Sequence, residues 1–263
     1  MNPLHLIFTS YAEKYGLTIQ SERSFKLHTR QIETGTLYAF DPLELPSPDQ
    51  LFELTSLLGF NETTNISIAK NLSEANLIGI SISDREKATG CNFYLEFWDK
   101  VCQTVRSPNH RDEALLMYLG YKLKTNKNTI VDNYYCHPLI TPTEITNRIG
   151  QLYSSPEDRT LLNLIQNIIL EASTMISDRD SFIYLEVENE NSGRRSFDVN
   201  LYKADLDFNA TNDPISQILK EFELAPDSLE RLVGTNTPGP LGHISGGINY
   251  TGEPFLSIYF ETT

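Results

Sequence analysis

Several regions of this chain put Tyr, Asn, His, Lys and carboxylates on alternate positions, the period at which side chains share one face of a β-strand. Asn92, Tyr94, Glu96 and Trp98 alternate in one region. Tyr118, Gly120, Lys122 and Lys124 follow in the next, with Asn133, Tyr135 and His137 on its return arm. Phe182, Tyr184, Glu186 and Glu188 alternate before a polar joint, and Asp198, Asn200, Tyr202 and Ala204 after it. His243 and Ser245, then Phe255, Ser257 and Tyr259, do the same near the end, as do Lys26, His28 and Arg30 near the start. The residues between them are largely aliphatic, so each region reads as a strand with one dry face and one polar, aromatic face. A face this rich in tyrosine is too aromatic for a plain solvated surface. Its carboxylates, Glu96 and Glu186, are costly to bury unless a tyrosine hydroxyl or another donor reaches them.

Composition narrows the chemistry. A net charge of −14 over 263 residues opposes binding to nucleic acid, whose phosphates need a basic surface, and to anionic membranes. An acidic shell still leaves room for a small basic pocket and an anionic ligand. No run approaches eighteen apolar residues, and the first twenty residues read as an amphipathic helix carrying charges, so a cytoplasmic protein is expected. Cys91, Cys102 and Cys136 have no CxxC spacing and read as reduced. No His, Asp and Glu fall at metal-ligand spacings. Ser245-Gly246-Gly247 lies within a strand pattern, which argues against a nucleophile elbow and for a bulge or close approach. No phosphate loop or dinucleotide fingerprint occurs.

The elements that would position these faces are five hairpins: Phe25–Asp41, Leu77–Trp98, Leu116–Leu139, Phe182–Asp205 and Leu241–Glu261. The first is expected to turn at Glu33-Thr34-Gly35, the second over Lys87–Gly90, the fourth at Gly193 and the last at Thr251-Gly252-Glu253. Helices are expected over Met1–Leu17, ended by Gly16, and over Asp99–Val105. Capping signals start others at Ser47-Pro48, Thr141-Pro142, Ser155-Pro156 and Asp213-Pro214, with one more helical turn over Leu229–Val233. No linker divides the chain. The pattern predicts one α+β domain over residues 1–263: a ten-stranded antiparallel β-barrel built of ββα units and ringed by helices, with the polar, aromatic faces around a lumen.

The ββα order and the segments Val199-Asn-Leu-Tyr202 and Gly247-Ile-Asn-Tyr-Thr-Gly-Glu-Pro-Phe-Leu-Ser-Ile-Tyr259 resemble the aromatic prenyltransferases of the ABBA-barrel type. The resemblance implies transfer of a prenyl group from an allylic diphosphate to an aromatic small molecule or peptide side chain. The diphosphate would be held by cations. Lys26, Arg30, Lys122 and Lys124, with Asn200, are the candidates, and His28, His137 and His243 are further cationic positions. Tyr94, Trp98, Tyr118, Tyr135, Tyr184, Tyr202 and Tyr259 would shield the allyl cation with their ring faces. Glu96 or Glu186 would accept a hydrogen bond or a proton from the acceptor, with Glu96 favoured because Tyr94 and Trp98 flank it. No cofactor is certain, and Mg2+ is the candidate ion. The positions two residues before Tyr202, Tyr135 and Tyr259 are Asn200, Asn133 and Ser257, where the family usually carries Lys or Arg.

Other readings of the same residues stand beside this one. Lys122 and Lys124 also fit ordinary wet strand lysines, and Lys26, His28 and Arg30 a charged edge strand. The tyrosines suit a strand core, and His137 and His243 suit structural histidines. A non-catalytic barrel that binds a hydrophobic or aromatic ligand, or an interaction protein with a filled core, would use the same alternation.

Overall fold

The computed structural model describes residues 2–45, 47–84, 90–108, 113–124, 128–153, 155–177, 182–189, 194–225, 227–228, 238–249 and 251–262. Ten strands close into an antiparallel barrel in the order β1-β10-β9-β8-β7-β6-β5-β4-β3-β2. The strands are β1 (Gln20–His28), β2 (Gln31–Phe40), β3 (Leu77–Ser83), β4 (Cys91–Glu96), β5 (Leu115–Leu123), β6 (Thr129–Cys136), β7 (Ile183–Glu188), β8 (Arg195–Asn200), β9 (Pro238–Ile248) and β10 (Pro254–Thr262). The helices are α1 (Pro3–Tyr15), α2 (Pro48–Leu57), α3 (Glu62–Leu72), α4 (Trp98–Val105), α5 (Pro142–Leu152), α6 (Arg159–Ser173) and α7 (Asn212–Glu221). The expected fold class, a helix-ringed barrel of ten antiparallel strands, is therefore the observed one. Among the described residues no helix is long and apolar enough to cross a membrane.

Chain contacts divide the protein into two compact units. The first comprises residues 1–22, 35–111 and 115–135. Ser47 and Gln50 form the expected capping box and Gly16 ends α1 at φ 66°, while Asn2 and Asn61, not singled out in the sequence, accept from the backbones of Leu4 and Thr64. Ile78, Ile80 and Ile82 of β3 and Phe93 and Leu95 of β4 are buried in one core with Phe8 of α1, Leu51 and Leu54 of α2 and Ile68 of α3. The helix α3, capped by Asn61, is an element that the hairpin pattern does not announce.

The second unit comprises residues 23–34, 112–114 and 136–263. Ile145 and Ile149 of α5, Ile165, Ile168 and Ile169 of α6 and Ile215, Ile218 and Leu219 of α7 bury their apolar sides against Phe197 and Val199 of β8, Ile244 of β9 and Ile258 of β10. The glycine pair on β9 marks a close approach. A Cβ at Gly246 would meet Tyr153 Oη at 2.8 Å, and one at Gly247, where φ is 145°, would run into the Arg195 carbonyl.

Three expectations shift. The first hairpin turns at Thr29 and Arg30, with Arg30 at φ 61°, so Glu33, Thr34 and Gly35 lie within β2. β8 stops at Asn200, and Tyr202–Ala204 is a 3₁₀ turn closed by Asp205 in the left-handed region. Trp98 is the first residue of α4, 37% exposed, and not a strand residue beside Glu96. The Leu229–Val233 turn, most of the Lys87–Gly90 turn and Gly193 lie outside the described residues.

Candidate active site

The candidate site residues are those on the inner face of the sheet, the face turned away from the helices. In the first unit the β4–β5 register pairs Asn92 with Lys122, Tyr94 with Gly120 and Glu96 with Tyr118. Paired residues share a face, and Phe93 and Leu95 occupy the helix side, so this row is the inner one. Tyr118 Oη donates to Glu96 Oε2 at 2.6 Å, and Asn76 Nδ2 donates to Oε1 at 2.9 Å. The carboxylate thus has one donor on each oxygen, which offsets its desolvation. Tyr134 stands edge-on to Tyr118 and to Tyr94, with centroids 6.1 and 5.9 Å away. A Cβ at Gly120 would touch the Tyr134 and Tyr94 rings at 3.0 Å, so glycine makes room for both.

On β6 the inner tyrosine is Tyr134. Tyr135 alternates with it and shares the side of Thr129, whose hydroxyl meets Thr64 of α3. Lys122 Nζ is bonded to Asp132, whose side chain is 3% exposed. Lys122 is therefore neither a wet strand lysine nor an isolated charge. Lys124 is exposed at the end of β5, its amide bonded to the Asn128 carbonyl.

In the second unit β7 pairs Tyr184 with Val199, Leu185 with Asp198 and Glu186 with Phe197. This reverses the expected faces of the first arm: Ile183, Leu185 and Val187 turn inward, while Tyr184 and Glu186 lie on the helix side. Tyr184 is fully buried in the helix-side core, which lifts its hydroxyl far above the ordinary tyrosine range. Glu186 accepts from Arg148 of α5 at 3.0 Å and from Tyr184 Oη at 3.1 Å, and pairs with His137 at 3.2 Å. His137 first, and Arg148 with it, lowers the Glu186 carboxyl from 4.5 to about 2. Glu186, Tyr184 and His137 thus tie a strand to a helix and do not face inward.

Two groups do face inward there. Lys26 Nζ lies 4.5 Å and the Arg194 guanidinium 5.1 Å from the centre of the Phe255 ring, and the His28 ring is tilted 34° to the same ring at 6.3 Å. Each cation gains cation–π attraction from the ring, and together they gather positive charge that a dianion would complement. His28 also pairs with Glu33 at 3.2 Å. Arg30 is not part of this group, because its side chain is 76% exposed at the turn and pairs with Glu223. The second group is Asp198, Asn200, Tyr202, His243 and Tyr259. Asp198 Oδ1 lies 2.9 Å from His243 Nδ1, Asn200 Nδ2 lies 3.3 Å from Nε2, and the Tyr202 and Tyr259 rings stand edge-on at 5.5 and 5.7 Å. Among the described residues no three His, Cys, Asp or Glu side chains gather as a metal site.

Sequence reasoning missed Asp132, Tyr134, Arg194 and Asn76. The first two sit on β6, whose pattern Asp-Asn-Tyr-Tyr suits either face. Arg194 borders a turn, and Asn76 precedes a strand, where alternation carries no information.

No family model matches the sequence, and no curated protein matches it. Solved structures do. A 6-dimethylallyltryptophan synthase from Micromonospora olivasterospora, in complex with DMASPP and Trp, matches with a TM-score of 0.60 at 12% identity, over 92% of this chain and 81% of the other. A 5-dimethylallyltryptophan synthase from Streptomyces coelicolor matches at 0.60 and 10% identity over 92% and 80%. AnaPT from Neosartorya fischeri matches at 0.56 and 9% over 92% and 78%. At such identities the likeness establishes the fold, and the fold is the barrel of the aromatic prenyltransferases.

Proposed function

We propose that this chain, with its ABBA-type barrel, transfers a prenyl group from an allylic diphosphate to an aromatic acceptor, a small molecule or a peptide side chain. The observation that carries the reading is Glu96, an inner-face carboxylate anchored by Tyr118 and Asn76 beside the Tyr94 and Tyr134 rings. Each carboxylate oxygen has two acceptor positions. One donor per oxygen leaves room for an acceptor's N–H or O–H, and the negative charge favours that bond over one to a neutral group. The tyrosine faces would stabilise an allyl cation by their quadrupole and keep water away. Lys26 and Arg194, both over the Phe255 ring, are the cation candidates for the leaving diphosphate. The structures similar to this one include a protein crystallised with DMASPP and Trp, which supports the same partner classes here.

A second reading has its own support. His28, Lys122 and His243 each pair with a carboxylate, Glu33, Asp132 and Asp198. A face with this much internal neutralisation also suits a non-catalytic barrel that holds a neutral aromatic ligand. The test is incubation with dimethylallyl, geranyl and farnesyl diphosphates plus tryptophan, tyrosine and a naphthol, with products read by mass spectrometry. Midpoints of thermal unfolding are read in parallel, since a ligand that binds only the folded state must raise them. A donor-dependent mass gain on the acceptor supports transfer, and Arg194→Gln should then weaken donor binding about tenfold. A midpoint raised by acceptors but by none of the diphosphates supports the binding reading.

A further inference from the structure

The Asp198–His243 pair has a geometry that diphosphate binding and ring stacking do not require. A carboxylate oxygen only accepts, so the 2.9 Å contact from Asp198 Oδ1 places a hydrogen on Nδ1, and the neutral imidazole then carries its lone pair on Nε2. Asn200 agrees with this tautomer. Its Oδ1 is occupied by the Tyr202 amide at 3.1 Å, which leaves its Nδ2 as the atom turned toward Nε2 at 3.3 Å. That distance is long for an N–H donor, and an incoming group can displace it. Tyr202 and Tyr259 wall the imidazole on two sides, and the His243 side chain keeps 20% of its surface exposed. A carboxylate behind, a lone pair in front and aromatic walls make up the arrangement of an oriented general base.

We infer that His243 is a catalytic proton acceptor and Asp198 the residue that positions it; the inference rests on the prenyl-transfer reading. In the step, a π pair of the acceptor ring forms the bond to the allylic carbon. The allylic C–O bond breaks, and its electron pair leaves on the diphosphate. The proton that the attacked ring carbon sheds passes to Nε2, and the resulting imidazolium is stabilised by the Asp198 carboxylate.

The test compares the wild-type chain, His243→Ala, His243→Gln and Asp198→Asn, using dimethylallyl diphosphate with tryptophan or 1-naphthol, with and without added imidazole. Each variant should lose roughly 10²- to 10⁴-fold in kcat with an unchanged KM for the donor, and imidazole should restore part of the His243→Ala turnover but none of that of Asp198→Asn. His243→Gln keeps the side-chain bulk, so its loss of turnover at an unchanged melting temperature separates chemistry from folding. Full activity in His243→Ala and His243→Gln overturns the dyad's role and leaves prenyl transfer standing. Loss that imidazole does not relieve, with a lowered melting temperature or a raised donor KM, also overturns it and makes His243 structural. A wild-type chain that turns over neither acceptor overturns the prenyl-transfer reading and the dyad's role together.

Discussion

Two carboxylates of one type, Glu96 and Glu186, end in opposite surroundings. Glu96 is held by neutral donors, Tyr118 and Asn76, and Glu186 by Arg148 and His137. A carboxylate whose counter-charges are already supplied has little reason to accept from a ligand, so only Glu96 is suited to an acceptor. Glu96→Gln should cut turnover about a hundredfold, through loss of the charge-assisted hydrogen bond that orients the acceptor, while the thermal shift caused by dimethylallyl diphosphate stays the same. Normal turnover in this variant would remove Glu96 from the chemistry and leave prenyl transfer to other residues. Lys122 belongs to a different argument. Removing one member of a buried pair leaves the other charge uncompensated, at a cost of about 3–5 kcal/mol. Urea unfolding of Lys122→Met should show a loss of that order, largely recovered in Lys122→Met/Asp132→Leu. If the single variant is as stable as wild type and weakens diphosphate binding instead, Lys122 is a ligand-binding residue. Alternation made Glu96 legible in the sequence, because Phe93 and Leu95 mark the helix side unambiguously. It did not separate Tyr134 from Tyr135, since the choice depends on the Lys122–Asp132 bond between strands.

At the scale of elements, β7 is where alternation misleads. Ile183, Leu185 and Val187 look like a dry face that should meet helices, but the pairing of Tyr184 with Val199 turns them inward. The aliphatic rule fails because Arg148 on α5 gives Glu186 a charged partner on the helix side. That tie makes stability depend on pH. The folded carboxyl titrates at about 2 and its ordinary value is 4.5. Its contribution is fully present above 4.5 and is lost as pH falls from there through 2. Chemical denaturation at stepped pH should show wild type losing its advantage over Glu186→Gln across that window, and a constant difference between the two would break the assignment. Helix starts were far more legible, since Ser47, Thr141 and Ser155 announce themselves by local chemistry. The helix α3 carries a comparable cap in Asn61, but its polar sequence hides the apolar stripe that would have drawn attention to it.

At the scale of the whole molecule, ten strands in a closed order leave no strand with an unpaired edge. The ββα rhythm was enough to expect this, because five hairpins with one dry face each have few other ways to bury it. Deleting β10 (Pro254–Thr262) should expose the edges of β1 and β9 and make the shortened chain aggregate more than the full one, as size-exclusion chromatography of both would show; a shortened chain that stays folded and elutes like the full one would mean that β10 is dispensable for closure. The seam itself is a matter of timing. β1 is joined by β10, so on a ribosome β1, made earlier, must wait for β10 before its hydrogen bonds on that side can form. Until β10 is made, therefore, the sheet has an open flank, and the nascent chain's hazard is sticking to its neighbours.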